Sequence, residues 1–203
     1  NLVGFEDMKF PTYKGFWTED IDVPQQINLQ QENYNGRVYS VGVLKKTILF
    51  PQHSGEITID PFELTCVVQE KVRRNSRGFF DSFFGSYRNV SKKVASPAVK
   101  VNVKALPANK PADFTGAVGS FKFESSLDND NVKANEAITY SLKLSGSGNI
   151  KLREIPKNTF PADFEQYEPK VSQNISNSNN GSSGTKTVDY LLVPRHPGTY
   201  NIP

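Results

Sequence analysis

The sequence predicts an all-β chain of two tandem immunoglobulin-like β-sandwiches, and three observations carry that prediction. A short phrase occurs twice, as Leu49-Phe50-Pro51-Gln52-His53-Ser54-Gly55-Glu56-Ile57-Thr58-Ile59 and as Leu192-Val193-Pro194-Arg195-His196-Pro197-Gly198-Thr199-Tyr200-Asn201-Ile202, with one offset of 143 residues. Such self-similarity means that one structural unit is used twice. Short stretches of alternating apolar and polar residues recur between turn signals, as in a sandwich. Thirteen prolines and fourteen glycines are spread over the 203 residues, and no stretch keeps a helical period over three turns.

Each phrase reads as strand, tight turn, strand. Pro51 and Pro194 end a strand because proline has no N–H for the ladder. Gly55 and Gly198 are placed to supply a positive φ at the turn. The alternations Ile57-Thr58-Ile59 and Tyr200-Asn201-Ile202 have the period of half-buried strands. A looser echo joins Lys9-Phe10-Pro11 and Gly15-Phe16 to Glu154-Ile155-Pro156 and Asp163-Phe164, with a loop of different length between.

The elements follow in order. Residues 1–24 are extended, anchored by Phe10-Pro11 and Phe16-Trp17. Ile27 to Tyr34 alternates, Asn35-Gly36 signals a type I′ hairpin turn, and Val38 to Phe50 returns. Val41, Val43, Thr47 and Leu49 are expected to face the core, with Lys45 breaking the pattern. Ile57 to Val68 supplies one or two more strands around Pro61. Phe62, Leu64, Cys66 and Val68 share a face, which makes the single cysteine a small buried hydrophobe. Residues 71–93 form a long insertion, and Lys93 to Val103 closes the first copy with Val99, Val101 and Val103 alternating. These elements place one sandwich at 1–105, a proline-bearing linker at 106–113 and a second sandwich at 114–203.

In the second copy, Val118 to Leu127 is a strand and Asp128-Asn129-Asp130-Asn131 a turn. Ile138, Tyr140, Leu142 and Leu144 mark a strand ended by Ser145-Gly146-Ser147-Gly148-Asn149. A short helix is admitted near Asp163 to Tyr167. Residues 172–186 are too rich in Ser, Asn and Gly to pack and are expected to form a mobile hairpin tip. Aligned on the repeat, Pro203 corresponds to Asp60 and residue 1 falls well inside its counterpart, so truncation of a domain is expected at both ends.

Composition argues against several functions. The net charge of +3 gives no global field for nucleic acid, and no segment reads as a signal peptide or membrane span. Two histidines at equivalent turns, His53 and His196, are not the distinct converging residues that a catalytic triad needs. No Cys or His pair has zinc-ligand spacing. Asp128 to Asn131 is oxygen-rich but lacks the glycine and distal glutamate of a calcium loop. Asp163 and Glu165 flank Phe164 on an exposed edge rather than forming an acid–base pair. No catalytic, cofactor or metal site is expected, and the chain is not read as an enzyme.

The candidate site lies in residues 71–93. The segment holds seven Lys or Arg and one acid, a local charge of +6 that leaves about −3 for the rest. Four phenylalanines and a tyrosine fall within nine residues. Arg73, Arg74, Arg77, Phe79, Phe80, Phe83, Phe84 and Tyr87 are the candidate partner-binding residues. Basic groups beside exposed aromatics suit a protein partner, an anionic membrane face or single-stranded nucleic acid. The acidic balance elsewhere argues against nucleic acid. The alternative is that the rings fold back and cap the domain's own open end.

The second copy resembles the BatD family, the bacterial oxygen-tolerance or aerotolerance proteins. The resemblance rests on Asn135-Glu136-Ala137-Ile138-Thr139-Tyr140-Ser141-Leu142-Lys143-Leu144-Ser145-Gly146, on Gly148 to Leu152, on Ile155-Pro156, on Phe160 to Glu165 and on the closing phrase through Pro203. The loop from Phe79 to Gly85, with Asp81 between the phenylalanine pairs, also resembles an aromatic loop of such proteins. The resemblance implies a membrane-anchored periplasmic protein with tandem Ig-like domains. It further implies neighbours that include von Willebrand factor A-domain membrane proteins, a MoxR-type ATPase and a TPR protein, and a role in oxygen- or envelope-stress tolerance without a defined reaction. The expectation is therefore a non-enzymatic scaffold that recognises proteins. A homodimer through open strand edges is a further expectation. The competing reading is a cell-surface adhesin or carbohydrate-binding module, for which Trp17 with Phe16 would be the aromatic platform.

Overall fold

A computed structural model describes residues 2–71, 87–112 and 114–202. Among the described residues the fold is all-β, in several sheets with no barrel, consistent with immunoglobulin-like sandwiches. Fourteen strands and one 3₁₀ turn are described: β1 Leu2–Lys9, β2 Phe16–Ile21, β3 Gln30–Tyr34, β4 Arg37–Val41, β5 Lys46–Pro51, β6 Gly55–Ile59, β7 Glu63–Lys71, β8 Tyr87–Ala95, β9 Val99–Val103, β10 Gly119–Leu127, β11 Ile138–Gly148, the 3₁₀ turn Ile150–Leu152, β12 Phe164–Gln166, β13 Lys170–Ser178 and β14 Gly181–Pro194. Contacts divide the chain into two units, Asn1–Trp17 with Pro51–Ala108 and Thr18–Phe50 with Asn109–Pro203.

In the first unit, β1, β7 and β8 form an antiparallel sheet, and β6 pairs with β9. The register aligns Met8, Leu64 and Val94 in one row and Leu2, Val68 and Val90 in another. Leu64, Cys66 and Val68 do share a face, but all are half-buried, and Leu2, Met8 and Val94 are exposed. Phe16 and Ile57 are the buried apolar side chains described in this unit. The run from Lys93 to Val103 is two strands rather than one. Ser96 ends β8 by accepting the Phe62 N–H on its Oγ at 2.9 Å and donating its own N–H to Phe62 O at 2.9 Å. Pro97 follows, and proline cannot continue a ladder.

The second unit is built on one antiparallel sheet in the order β10-β11-β14, with β12 and β13 pairing successive lengths of the far edge of β14. Ile138 faces Leu192, Tyr140 faces Tyr190 and Leu142 faces Val188 across the central pair. All six are buried, and Phe160 and Phe164 join them in the core. The rings of Phe160 and Tyr190 lie 5.0 Å apart, edge to face, an arrangement aromatic pairs prefer. Leu127, Val132, Ile155, Tyr200 and Ile202 pack around this cluster. Strand β11 thus follows the predicted alternation.

β11 runs through Gly148 instead of ending at Ser145, because its glycines let the neighbouring strands approach. A Cβ on Gly146 would lie 2.1 Å from Ser120 O, and one on Gly184, opposite it, 2.2 Å from Asn174 O. Residues 172–186 form the paired ends of β13 and β14 instead of an unpacked tip, and Ser182 is only 2% exposed. A polar sequence packs there because its backbone groups are satisfied by the ladder. Residues Phe164–Gln166 are a strand, and the helical turn falls instead at Ile150–Leu152. Gly198 takes no positive φ, and Tyr200 to Ile202 is no strand: Tyr200 turns onto Phe164, with ring centres 5.0 Å apart.

The Asn35-Gly36 turn is as predicted, with φ of 50° and 75° and Tyr34 opposite Arg37. The return beyond it is broken at Gly42 to Lys45, and Val41 and Val43 are exposed rather than core-facing. Every residue of the β3–β4 ribbon is exposed, so alternation there marks the pleat and not a buried face.

Candidate functional site

The predicted partner-binding residues Arg73, Arg74, Arg77, Phe79, Phe80, Phe83 and Phe84 lie outside the described residues. Tyr87 is described: it opens β8 opposite Lys71 and is 58% exposed. The base of the segment is less positive than its composition suggests. Arg88 and Lys92 both pair with Glu70, at 3.9 and 2.6 Å, and Lys93 pairs with Glu63 at 2.8 Å. Both carboxylates come from β7, one strand across. Lys92 holds the Glu70 carboxyl below its usual range, Lys93 does the same to Glu63, and Glu63 in return raises Lys93. Exposed pairs of this kind contribute little stability. Their effect is to offset the positive charge of β8. A window drawn at 71–93 missed them because Glu63 and Glu70 precede it; the signal was their place on the strand that pairs with β8.

The two histidines stay in their turns. His53 Nδ1 lies 3.1 Å from Ser54 O, and His196 O accepts the Tyr200 hydroxyl at 3.0 Å. Among the described residues no group of three or more His, Cys, Asp or Glu could hold a metal ion. Asp128 instead organises its own turn: its Oδ1 accepts the Thr139 N–H at 2.9 Å, and that bond lowers its pKa. Asp163 and Glu165 form no pair with one another. Glu165 binds the Arg195 guanidinium, whose Nη1 also donates to Asn135 Oδ1 at 2.7 Å, and Asp163 O accepts the Arg195 N–H.

Sequence reasoning also missed Lys186. Its ammonium donates to Lys151 O at 2.8 Å and Arg153 O at 2.7 Å, closing the 3₁₀ turn onto the sheet. Burial pushes its pKa down. Nothing in its flanks, Gly184 to Val188, marks it among the chain's twenty-four basic residues.

The second unit has an open cleft of about 460 Å³ between the β3–β4 ribbon and the β13–β14 turn. Its walls carry Gln26, Asn28, Gln30, Asn177 and Asn179, with Lys46 donating to Asn179 Oδ1 at 3.1 Å. Trp17 is 59% exposed and Phe16 is buried, and neither lines this cleft. The aromatic pair required by the carbohydrate reading is thus not an exposed platform: one ring faces solvent and the other the core. No helix among the described residues is long and apolar enough to cross a membrane.

The repeat is reproduced as geometry. Phe16 N–H donates to Tyr13 O and Phe164 N–H to Pro161 O, both at 3.1 Å. Gln52 N–H donates to Gly15 O and Arg195 N–H to Asp163 O, both at 2.9 Å. Each copy therefore turns into a short strand, β2 or β12, that binds the strand carrying the repeated phrase, β5 or β14. Both phenylalanines are buried.

No curated protein and no solved structure matches the chain. BatD is a family associated with aerotolerance and is not a known enzyme family. Residues 125–203, which lie within the second copy of the repeat, match the family model described as the BatD DUF11-like domain.

Proposed function

We propose that this chain is a non-enzymatic scaffold of a membrane-associated complex for oxygen or envelope-stress tolerance, placed in the periplasm and anchored to the membrane. The observation that carries the reading is the BatD DUF11-like match over residues 125–203 in a chain whose described residues form fourteen strands and one 3₁₀ turn. Its partners are the von Willebrand factor A-domain membrane proteins and the TPR protein that the family resemblance implies. In this reading recognition works by aromatic anchors: Phe79, Phe80, Phe83 and Phe84 enter pockets on the partner, and Arg73, Arg74, Arg77 and Tyr87 supply further contacts. The exposed Tyr87 at the start of β8 supports this placement. Such a scaffold needs no cofactor.

The test is binding to soluble von Willebrand factor A-type domains. It compares the intact chain with a variant in which Phe79, Phe80, Phe83 and Phe84 are serine, each first checked for β-sheet circular dichroism and a cooperative melt. Binding by the intact chain and its loss in the folded variant is the expected result. Equal binding by both removes the loop from the interface, and failure of the intact chain to bind overturns the partner assignment.

A further inference from the structure

The later copy supplies a template for one edge of the earlier one. Leu49 and Thr47 stand one repeat length before Leu192 and Tyr190. In an antiparallel ladder a residue's N–H and C=O point to the same side, and the side alternates along the strand. Arg195 N–H points to β12, so Leu192 and Tyr190 address β11 on the opposite edge. The Asn135 N–H bond to Pro194 O, 2.8 Å, is on that same edge. In the earlier copy Gln52 N–H points to β2. The same alternation turns the N–H and C=O groups of Thr47 and Leu49 away from β2. Among the described residues no strand pairs with that edge: β5 pairs with β2 alone, where β14 has β11 and, beyond it, β10.

We propose that the outer edge of β5 is an acceptor for an extended segment of a partner polypeptide, one that runs along it as β11 runs along β14. The proposal rests on the scaffold reading and gives that scaffold its second mode of contact, β-augmentation. The side chains define the guest. Leu49 is half-buried where Leu192 meets Ile138, so the guest carries an apolar residue there. Thr47 and Lys45 replace the apolar Tyr190 and Val188. Thr47 Oγ1 donates to Asp20 Oδ1 at 2.8 Å, and Lys45 pairs with Asp20 at 3.0 Å. The guest's next alternate residues are therefore polar. Lysines at one end of β5 and Pro51 at the other shorten the usable edge, which guards it against indiscriminate pairing.

Residue-resolved hydrogen exchange tests this, with a synthetic peptide of the sequence 136–145 carrying Tyr140→Ser and Leu142→Ser as the probe. In the free protein the Thr47 and Leu49 amides should exchange faster than those of Ile48 and Phe50, which face β2. Saturating peptide should slow Thr47 and Leu49 by about tenfold, the scale of one backbone hydrogen bond. The Tyr190 and Leu192 amides should stay unchanged, since β11 already holds them. Protection of Thr47 and Leu49 in the dilute free protein would overturn the proposal, as would peptide that leaves them unaltered. Protection that grows with protein concentration alone would make a second copy the occupant and overturn the partner assignment. Peptide protection without any binding of von Willebrand factor A-type domains would keep the edge and sink those partners; the converse would sink the edge alone.

Discussion

Leu192 carries more of the second unit than any other residue of the repeated phrase. It is fully buried, faces Ile138 across the central pair and sits in the core cluster. Leu192→Ala should lower unfolding free energy by about 2–5 kcal/mol, the range for an aliphatic side chain lost from a core that relaxes only partly. Phe123→Ala, on the exposed outer strand, should stay within about 0.5 kcal/mol. Urea titrations of the two variants check the contrast. Asp128 sets a pH dependence at the same scale. The Thr139 N–H holds its folded pKa below the unfolded value. The unfolded state then binds more protons between the two values, so stability is full above the ordinary aspartate pKa and falls as pH drops through the lowered one. Asp128→Asn keeps an acceptor and loses the titration. Its urea midpoint should fall less than that of the parent as the pH drops below the ordinary aspartate pKa of about 4.

At the scale of elements, the alternation of Ile138, Tyr140 and Leu142 and the Asn35-Gly36 turn were legible because each depends on local chemistry alone. The length of β11 and the packing of β13 were not, because they depend on pairs of strands. Gly146 and Gly184 looked like breakers when read singly. Side by side they are what lets β10, β11, β14 and β13 continue past the apolar core: Phe121 faces Gly146, Gly146 faces Gly184, and Gly184 faces Ile175. A Cβ on Gly184 meets backbone, with Asn174 O at 2.2 Å and Ile175 Cα at 2.7 Å, so no side-chain rotation relieves it. Gly184→Ala should therefore push β13 from β14, at about 1–3 kcal/mol. Faster hydrogen exchange in Lys170–Ser178, with Ile138–Leu142 still protected, is the expected signature. Uniform protection in the variant would mean that the strands shift together. The charged edge of β8 escaped a linear reading for a similar reason, since Glu63 and Glu70 neutralise it from the strand beside it.

At the scale of the whole molecule, the repeat was the feature read most securely, and its consequence is one anchor used twice. Phe16 and Phe164 each follow a tight turn, each opens the short strand against the repeated phrase, and each is buried. Their surroundings differ. Phe164 touches the Tyr200 ring and belongs to an eight-residue cluster, whereas Ile57 is the other buried apolar residue described in the unit of Phe16. The sequence hid this difference, because Ile57 and Tyr200 occupy the same place in the phrase and both read as apolar strand positions. Truncation of a buried phenylalanine costs about 3–5 kcal/mol where packing is dense and less where the site can collapse. Phe164→Ala should fall in that range and raise exchange across β11 and β14. Phe16→Ala should cost less and raise exchange in β6 and β9, leaving Ile138–Leu142 protected. Equal losses spread over both units would show that the copies unfold as one cooperative body rather than as two repeats, each with its own core.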